Sequence, residues 1–133
     1  MKAALGILLL LAGCAAAPEP CPAGASPATM AEAYFGRNVK TRAPVTDGEW
    51  ARFMADTVTP AFPDGLTVLD GAGQWRTAAG QISREDSKVL LLVLPGQDQE
   101  AAAARLAPVT AAWKARFGQE SVLTVFHPGC AAF

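Results

Sequence analysis

Positive charge is sparse in this sequence and is nowhere concentrated. Lys and Arg together number 11 of 133 residues, the formal net charge is −1, and no run of basic residues occurs. Nucleic-acid binding needs a basic face that displaces counterions, and recognition of anionic lipid headgroups needs a polybasic patch. The composition therefore argues against a nucleic-acid partner and against membrane binding through charge.

Histidine is scarcer still, because His127 is the single example. Ser121 lies on the same predicted strand, roughly 20 Å away at about 3.3 Å per residue, so these two side chains cannot form a catalytic dyad. Gly71 and Gly73 do not begin a nucleotide-binding fingerprint, since its last glycine would fall at Arg76. The sequence therefore assigns no catalytic residue and indicates no cofactor.

A hydrophobic run long enough to span a membrane is also missing near the amino terminus. Residues 3–11 are apolar, whereas a membrane-spanning helix needs about 20 such residues. Lys2 precedes this run, and the small residues Ala12 and Gly13 follow it. A positive start, a short apolar core and a small-residue cleavage site are typical of a secretory signal peptide, which we assign to residues 1–13.

The signal ends at Cys14, and Leu11-Ala12-Gly13-Cys14 resembles the lipobox of bacterial lipoproteins. The resemblance implies cleavage before Cys14, diacylglycerol on its sulfur and a fatty acid such as palmitate on the new amino terminus. Two or more acyl chains anchor a protein stably, whereas one binds only marginally. Ala15 stands where inner-membrane retention usually has Asp, which implies the periplasmic face of an outer membrane. The alternative is an ordinary secretory signal with an incidental cysteine.

The rest of the chain divides into a tether and one domain. Residues 14–30 are rich in Ala and Pro without a periodic apolar face, which predicts a flexible tether behind the lipidated cysteine. Residues 31–133 are enough for a single domain. Strand-like composition occurs in residues 31–40, 66–70, 88–94 and 121–127. Residues 71–73 should break or bend the second strand, and residues 77–86 should form the turn and irregular part of a hairpin.

Two helices are predicted between these strands. Thr46 and Glu49 have the spacing of a capping box, and Pro60 and Pro63 should prevent the helix that they begin from continuing. Asp98 can cap a second helix, which Gly118 is placed to end. The order predicts an α+β domain of the ferredoxin-like βαββαβ type, a four-stranded antiparallel sheet with two helices on one face. Core residues expected from spacing are Trp50, Trp113 and Phe117.

The strongest predicted strand is apolar on both sides. A strand with one face in water should alternate apolar and polar residues, but residues 89–94 read VLLLVL. Both faces of the sheet therefore need cover. We expect a homodimer, joined face to face or edge to edge. The alternative is that residues 77–86 or the carboxy-terminal tail fold over the sheet.

Cys21 and Cys130 remain to be assigned once Cys14 carries lipid. Disulfides persist in oxidising compartments, and closing a loop of about 100 residues stabilises a fold by up to about 4–5 kcal/mol in the entropic model. We therefore expect a disulfide. The alternative is a copper or zinc site in which both thiolates join His127.

Several short motifs resemble those of a family of small bacterial lipoproteins whose domain has no known function. They are FGR at 35–37, FPDGLTVLD at 62–70, GQWR at 73–76, SKVL at 87–90 and QESVL at 119–123. The resemblance spans about residues 35–133. It implies one compact domain on a lipid anchor and supplies no activity.

The polar candidates for ligand binding are Arg37, Arg76, Glu85, Glu120 and Trp75. The arginines would clamp a carboxylate or phosphate, and a buried glutamate would act as a base. Ion pairs that tie strand ends together are the simpler interpretation. The sequence thus favours a non-catalytic binding or assembly module in the cell envelope, with an unknown ligand. A small enzyme or small-molecule binder with an Arg/carboxylate cleft is the alternative.

We expect Cys14→Ala to release the chain from membranes, because the substitution removes the sulfur that would carry diacylglycerol. After phase separation in a cloud-point detergent, wild-type protein should enter the detergent phase and the variant the aqueous phase. Mass spectrometry of the wild-type amino-terminal peptide should show an acylated Cys14. A free Cys14 thiol, or residues 1–13 still attached, contradicts lipidation.

Overall fold

The structure is a computed structural model that describes residues 20–133. The predicted signal peptide, Cys14 and the first part of the tether lie outside the described residues. One antiparallel sheet in the order β2-β3-β1-β4 is built from β1 (Ser26–Gly36), β2 (Thr67–Arg76), β3 (Ile82–Pro95) and β4 (Leu123–Ala131).

Helices occupy the connections from β1 to β2 and from β3 to β4. The first connection holds α1 (Asp47–Phe53), a π-helical segment (Met54–Val58) and α2 (Thr59–Ala61), and the second holds α3 (Gln99–Phe117). The α+β class with a four-stranded antiparallel sheet is confirmed. The order of elements departs from a simple βαββαβ series because the first helical connection is divided.

The predicted capping box begins α1. The Thr46 hydroxyl accepts a hydrogen bond from the Glu49 N–H, and the Glu49 carboxylate accepts one from the Thr46 N–H. The prediction that Pro60 stops this helix was wrong, whereas helical structure does end at Ala61, just before Pro63. Pro60 lies in the first turn of α2, directly after the π-helical segment, where the N–H that proline lacks is least needed.

The core lies between the helices and one face of the sheet. Buried residues of the central strands are Ala31, Ala33 and Phe35 in β1 and Leu90, Leu92 and Leu94 in β3. Buried residues of the helices are Trp50, Phe53, Val58, Ala102, Leu106, Val109, Trp113 and Phe117. Both helical connections therefore cover the same face, and the predicted core positions of the two tryptophans and Phe117 are confirmed.

Trp113 lies at the centre of this core. The rings of Phe35, Trp50 and Phe53 lie 5.2, 5.4 and 5.0 Å from it at interplanar angles of 70°, 72° and 71°. Its indole Nε1 has no hydrogen-bond partner among the described residues. Near-perpendicular aromatic rings bring the positive edge of one ring toward the negative face of another. This attraction offsets part of the cost of burying the indole N–H without a hydrogen bond.

β1 begins at Ser26 rather than near residue 31, so the tether is shorter than predicted. Ala28 pairs with Pro95 on one side and with Gly129 on the other, so the strand is held from both sides. The buried residues at this end of the strand are alanines and a threonine, which give no strong apolar periodicity. This is why the sequence pattern did not reveal the start of the strand.

The hairpin of β2 and β3 is longer and more regular than predicted. β2 runs unbroken to Arg76 and β3 begins at Ile82, so only residues 77–81 form the turn. A Cβ at Gly71 would lie 2.8 Å from the Ser87 hydroxyl oxygen, so glycine there permits close packing rather than a break. β4 likewise continues through Pro128, which an edge strand tolerates.

Cys21 and Cys130 form a disulfide with their Cα atoms 5.7 Å apart, as expected. The bond ties the approach to β1 to the end of β4. It also consumes the two thiolates that the alternative metal site required, and no group of three or more His, Cys, Asp or Glu residues within 20–133 is arranged to hold a metal ion. None of the helices in this part of the chain is long and apolar enough to cross a membrane.

Candidate functional site

The predicted ligand-binding residues do not converge. Arg76 lies at the end of β2 and donates a hydrogen bond to the Gly80 carbonyl within the hairpin turn, at 3.3 Å. Trp75 is exposed next to it. Glu120 forms an exposed ion pair with Lys40. Arg76 and Glu120 therefore serve separate local contacts, and Trp75 is an exposed side chain that takes part in neither.

Glu85 has a structural role at the end of β1. Its carboxylate accepts a hydrogen bond from the Asn38 N–H at 2.8 Å. The same carboxylate lies so close to Gly36 that a Cβ there would be 2.5 Å from Glu85 Oε1. Glu85 thus holds the chain as it leaves β1, and Gly36 makes room for it.

Arg37 is the one candidate that lines a cleft. Its Nε donates to the Val45 carbonyl at 2.6 Å, and its Nη1 lies 3.1 Å from Asp47 Oδ1. The cleft has a volume of about 350 Å³ and lies where the start of α1 meets the β2–β3 hairpin. Its lining residues are Arg37, Asp47, Asp70, Gly71, Ala72, Asp86 and Ser87.

Lys88 joins two carboxylates of this cleft and was missed as a site residue. Its side chain is largely buried, yet Nζ lies 2.5 Å from Asp70 Oδ1 and 3.1 Å from Asp47 Oδ1. In the sheet Lys88 lies opposite Asp70 and Phe35, on the face that carries the core. A period of two counted back from Leu90 places Lys88 on that face, so the signal was present in the sequence.

Both cations of the cleft, Arg37 and Lys88, are already paired with carboxylates, and Asp86 is a third carboxylate in the lining. The hydrogen bond from Lys88, aided by the charge of Arg37, lowers the pKa of Asp47, and the hydrogen bond to Asp70 raises the pKa of Lys88. Neither cation is therefore free to bind an added anion, because Asp47 and Asp70 already contact them. An anion clamp needs a free cation, and a general base needs a pKa near neutrality. The geometry fits a structural ion network better than a catalytic one.

The sheet face turned away from the helices, which we call the outer face, is the other candidate surface. Strand register arranges it in rows across the sheet. The rows are Leu69-Val89-Tyr34-Leu123, Thr67-Leu91-Glu32-Val125 and Val93-Met30-His127. The prediction that residues 89–94 place apolar side chains on both faces is therefore confirmed.

The outer face is uncovered among the described residues. Leu123 is 61% exposed, Leu69 50%, Val93 47% and Met30 42%. The alternative cover is absent: residues 77–86 extend the hairpin, and Phe133 at the end of the tail is fully exposed. Monomeric soluble proteins rarely leave a large apolar patch in water, so this face has the character of a contact surface.

Three polar groups of the outer face, Glu32, Tyr34 and His127, lie close together. The Tyr34 hydroxyl donates a hydrogen bond to the Glu32 carboxylate, which raises the pKa of Tyr34. His127 Nε2 lies 3.7 Å from Glu32 Oε1 across the β1–β4 pair. The face therefore presents apolar side chains around one locally compensated polar group.

We expect Lys88→Met to lower the free energy of unfolding at pH 7. In acid, the free energies of unfolding of the variant and the wild type should be closer together. The pKa of Asp47 lies below its ordinary value of 3.8 in the folded protein, so its stabilisation is present above that value and is lost as pH falls through the folded pKa. Removing Lys88 removes the largest cause of that shift. The urea midpoint of unfolding, measured for both proteins at pH 7 and pH 3, reports this loss of stability. Arg84→Met, on the same strand, is the control. If Lys88→Met lowers the midpoint equally at both pH values, the ion network is contradicted.

The comparisons with known proteins concern the family and the fold. A phage SAM lyase in complex with S-methyl-5'-thioadenosine has a similar structure, with a TM-score of 0.60 and 16% identity over 89% of this chain and 97% of that chain. A phage SAM lyase in the apo state also has a similar structure, with a TM-score of 0.58 and 16% identity over 88% of this chain and 97% of that chain. At this identity the likeness shows the fold alone. A search of curated proteins found no match. Residues 30–133 match the family described as Protein of unknown function (DUF3574), and the chain belongs to that family.

Proposed function

We propose that this protein is an envelope lipoprotein, anchored through Cys14, whose domain is a non-catalytic binding or assembly module. The outer face of the sheet is its binding surface. The uncovered apolar side chains of that face are the observation that carries the proposal. The dispersal of the polar candidates and the pairing of both cleft cations support it, because among the described residues these side chains are engaged in local contacts.

The proposed anchor would hold the domain close to the membrane. The disulfide at Cys21 limits the free tether to the residues between Cys14 and Cys21, which span at most about 25 Å when fully extended. The resemblance of the residues around Cys14 to a lipobox supports an outer-membrane, periplasmic location. A partner on the same membrane would then be within reach of the outer face.

We also infer that the fold is a divided variant of the ferredoxin-like arrangement. β1 lies between β3 and β4 and is antiparallel to both, and the helical connections share one face of the sheet. This arrangement leaves the opposite face without cover from residues 20–133. The proposed binding surface is thus a consequence of the topology.

A photo-reactive amino acid at Leu91 tests the proposed surface in the full chain, within the cells that make it. Leu91 lies in the middle row of the outer face, so light should produce a covalent adduct with a protein partner. Ala111, exposed on α3, is the control position and should give no adduct. Adducts from both positions in equal amount, or from neither, contradict an outer-face binding module.

A second candidate function is small-molecule binding in the cleft that holds Arg37 and Asp86. Its volume of about 350 Å³ lies within the usual range of about 300–1,000 Å³ for ligand pockets. The cleft carboxylates would accept hydrogen bonds from ligand hydroxyl groups. The similar phage enzyme structure contains S-methyl-5'-thioadenosine, which makes that nucleoside the first probe.

If the cleft binds this nucleoside, millimolar S-methyl-5'-thioadenosine should raise the melting temperature of the full chain by several degrees. Asp86→Asn should abolish the shift by removing an acceptor without disturbing the Lys88 network. Asp64→Asn, in an exposed turn outside the cleft, should preserve it. No shift in the wild-type chain contradicts this second candidate.

A further inference from the structure

We propose that the occupant of the outer face is a second copy of this chain, docked face to face about a twofold axis. This inference rests on the proposed function and names the partner. A twofold contact uses the same patch on both copies, so the patch must complement itself in area, charge and orientation. Each requirement can be examined on the rows of the outer face.

The area of the outer face suits a modest dimer. The three rows hold eleven positions, each about 4.8 Å wide and about 6.6 Å long on one face of the sheet, which gives a flat area of roughly 350 Å². Specific interfaces bury about 800 Å² on each partner, and weak ones about 600 Å² or less. The protruding side chains of Met30, Leu69 and Leu123 add to the flat value. The area of the three rows therefore fits a weak contact between two copies.

The charge of the outer face favours an apolar and neutral occupant. Glu32 is the only acidic residue in its three rows, and both of its neighbours, Tyr34 and His127, lie on the same copy. Burial against another such face therefore leaves no carboxylate without a partner. The rows contain no Lys or Arg, so a phosphate-rich surface, such as a bilayer or a nucleic acid, gains no attraction.

Orientation is compatible with anchoring to one membrane. A twofold axis along the strands places the start of β1 of both copies at the same end of the dimer. The disulfide between Cys21 and Cys130 lies at that end, so both tethers would leave toward one bilayer. Copies confined to one membrane meet at a raised effective concentration, which favours a contact of this modest area.

Two differently tagged full-length copies, expressed together, test the proposal. Capture of one tag should recover the other copy in the wild type. Leu91→Glu places a second carboxylate beside Glu32 on each face, and we expect it to lower the recovered copy by about tenfold or more. Leu123→Glu, on the edge strand, should act in the same direction. Ala111→Glu, on the exposed side of α3, should leave recovery unchanged.

The folded state of each variant is checked by its Cys21–Cys130 disulfide and its resistance to protease. Recovery that persists in folded Leu91→Glu and Leu123→Glu overturns the face-to-face dimer. No recovery of the wild-type copy, together with a photo-adduct of another mass at Leu91, also overturns it but leaves the binding module standing. No recovery and no adduct overturn both proposals.

Discussion

The two-residue period of a β-strand is the constraint on which this molecule depends. Residues 89–94 are apolar without interruption, so β3 must place leucines in the core and a second apolar set on the outer face. Both helical connections cover the same side. The chain therefore stabilises its core and at the same time creates an exposed surface, and no shift of register removes the exposure because the neighbouring residues are apolar as well.

The same period explains why the polar cleft is a poor catalytic site. Lys88 lies on the core face just beyond Leu90, where the helical cover ends at Asp47, the first residue of α1. Asp70 lies opposite on β2 and completes the set with Arg37. A buried ammonium needs compensating charge, and these carboxylates supply it. The cleft thus completes the edge of the core with ion pairs, and we propose the outer face as the main binding surface.

The strongest local signals predicted their elements. The capping box at Thr46 begins a helix, the cap at Asp98 begins another, and the two cysteines of the domain form the expected disulfide. Features that depend on partners distant in sequence were missed. The start of β1 consists of small residues that are held in the strand by pairing on both sides. Gly71 packs closely against Ser87 where a break or a bend was predicted. The Lys88 network needed the register of three strands.

Oxidative footprinting of Met30 in the intact cell envelope tests the outer face most directly. Met30 is 42% exposed on the described chain, so a free face predicts fast oxidation of its thioether. An occupied face predicts slow oxidation in the envelope and fast oxidation in folded Leu91→Glu, whose added charge should expel the occupant. Equally fast oxidation of Met30 in the wild type and in that variant would contradict an occupied outer face.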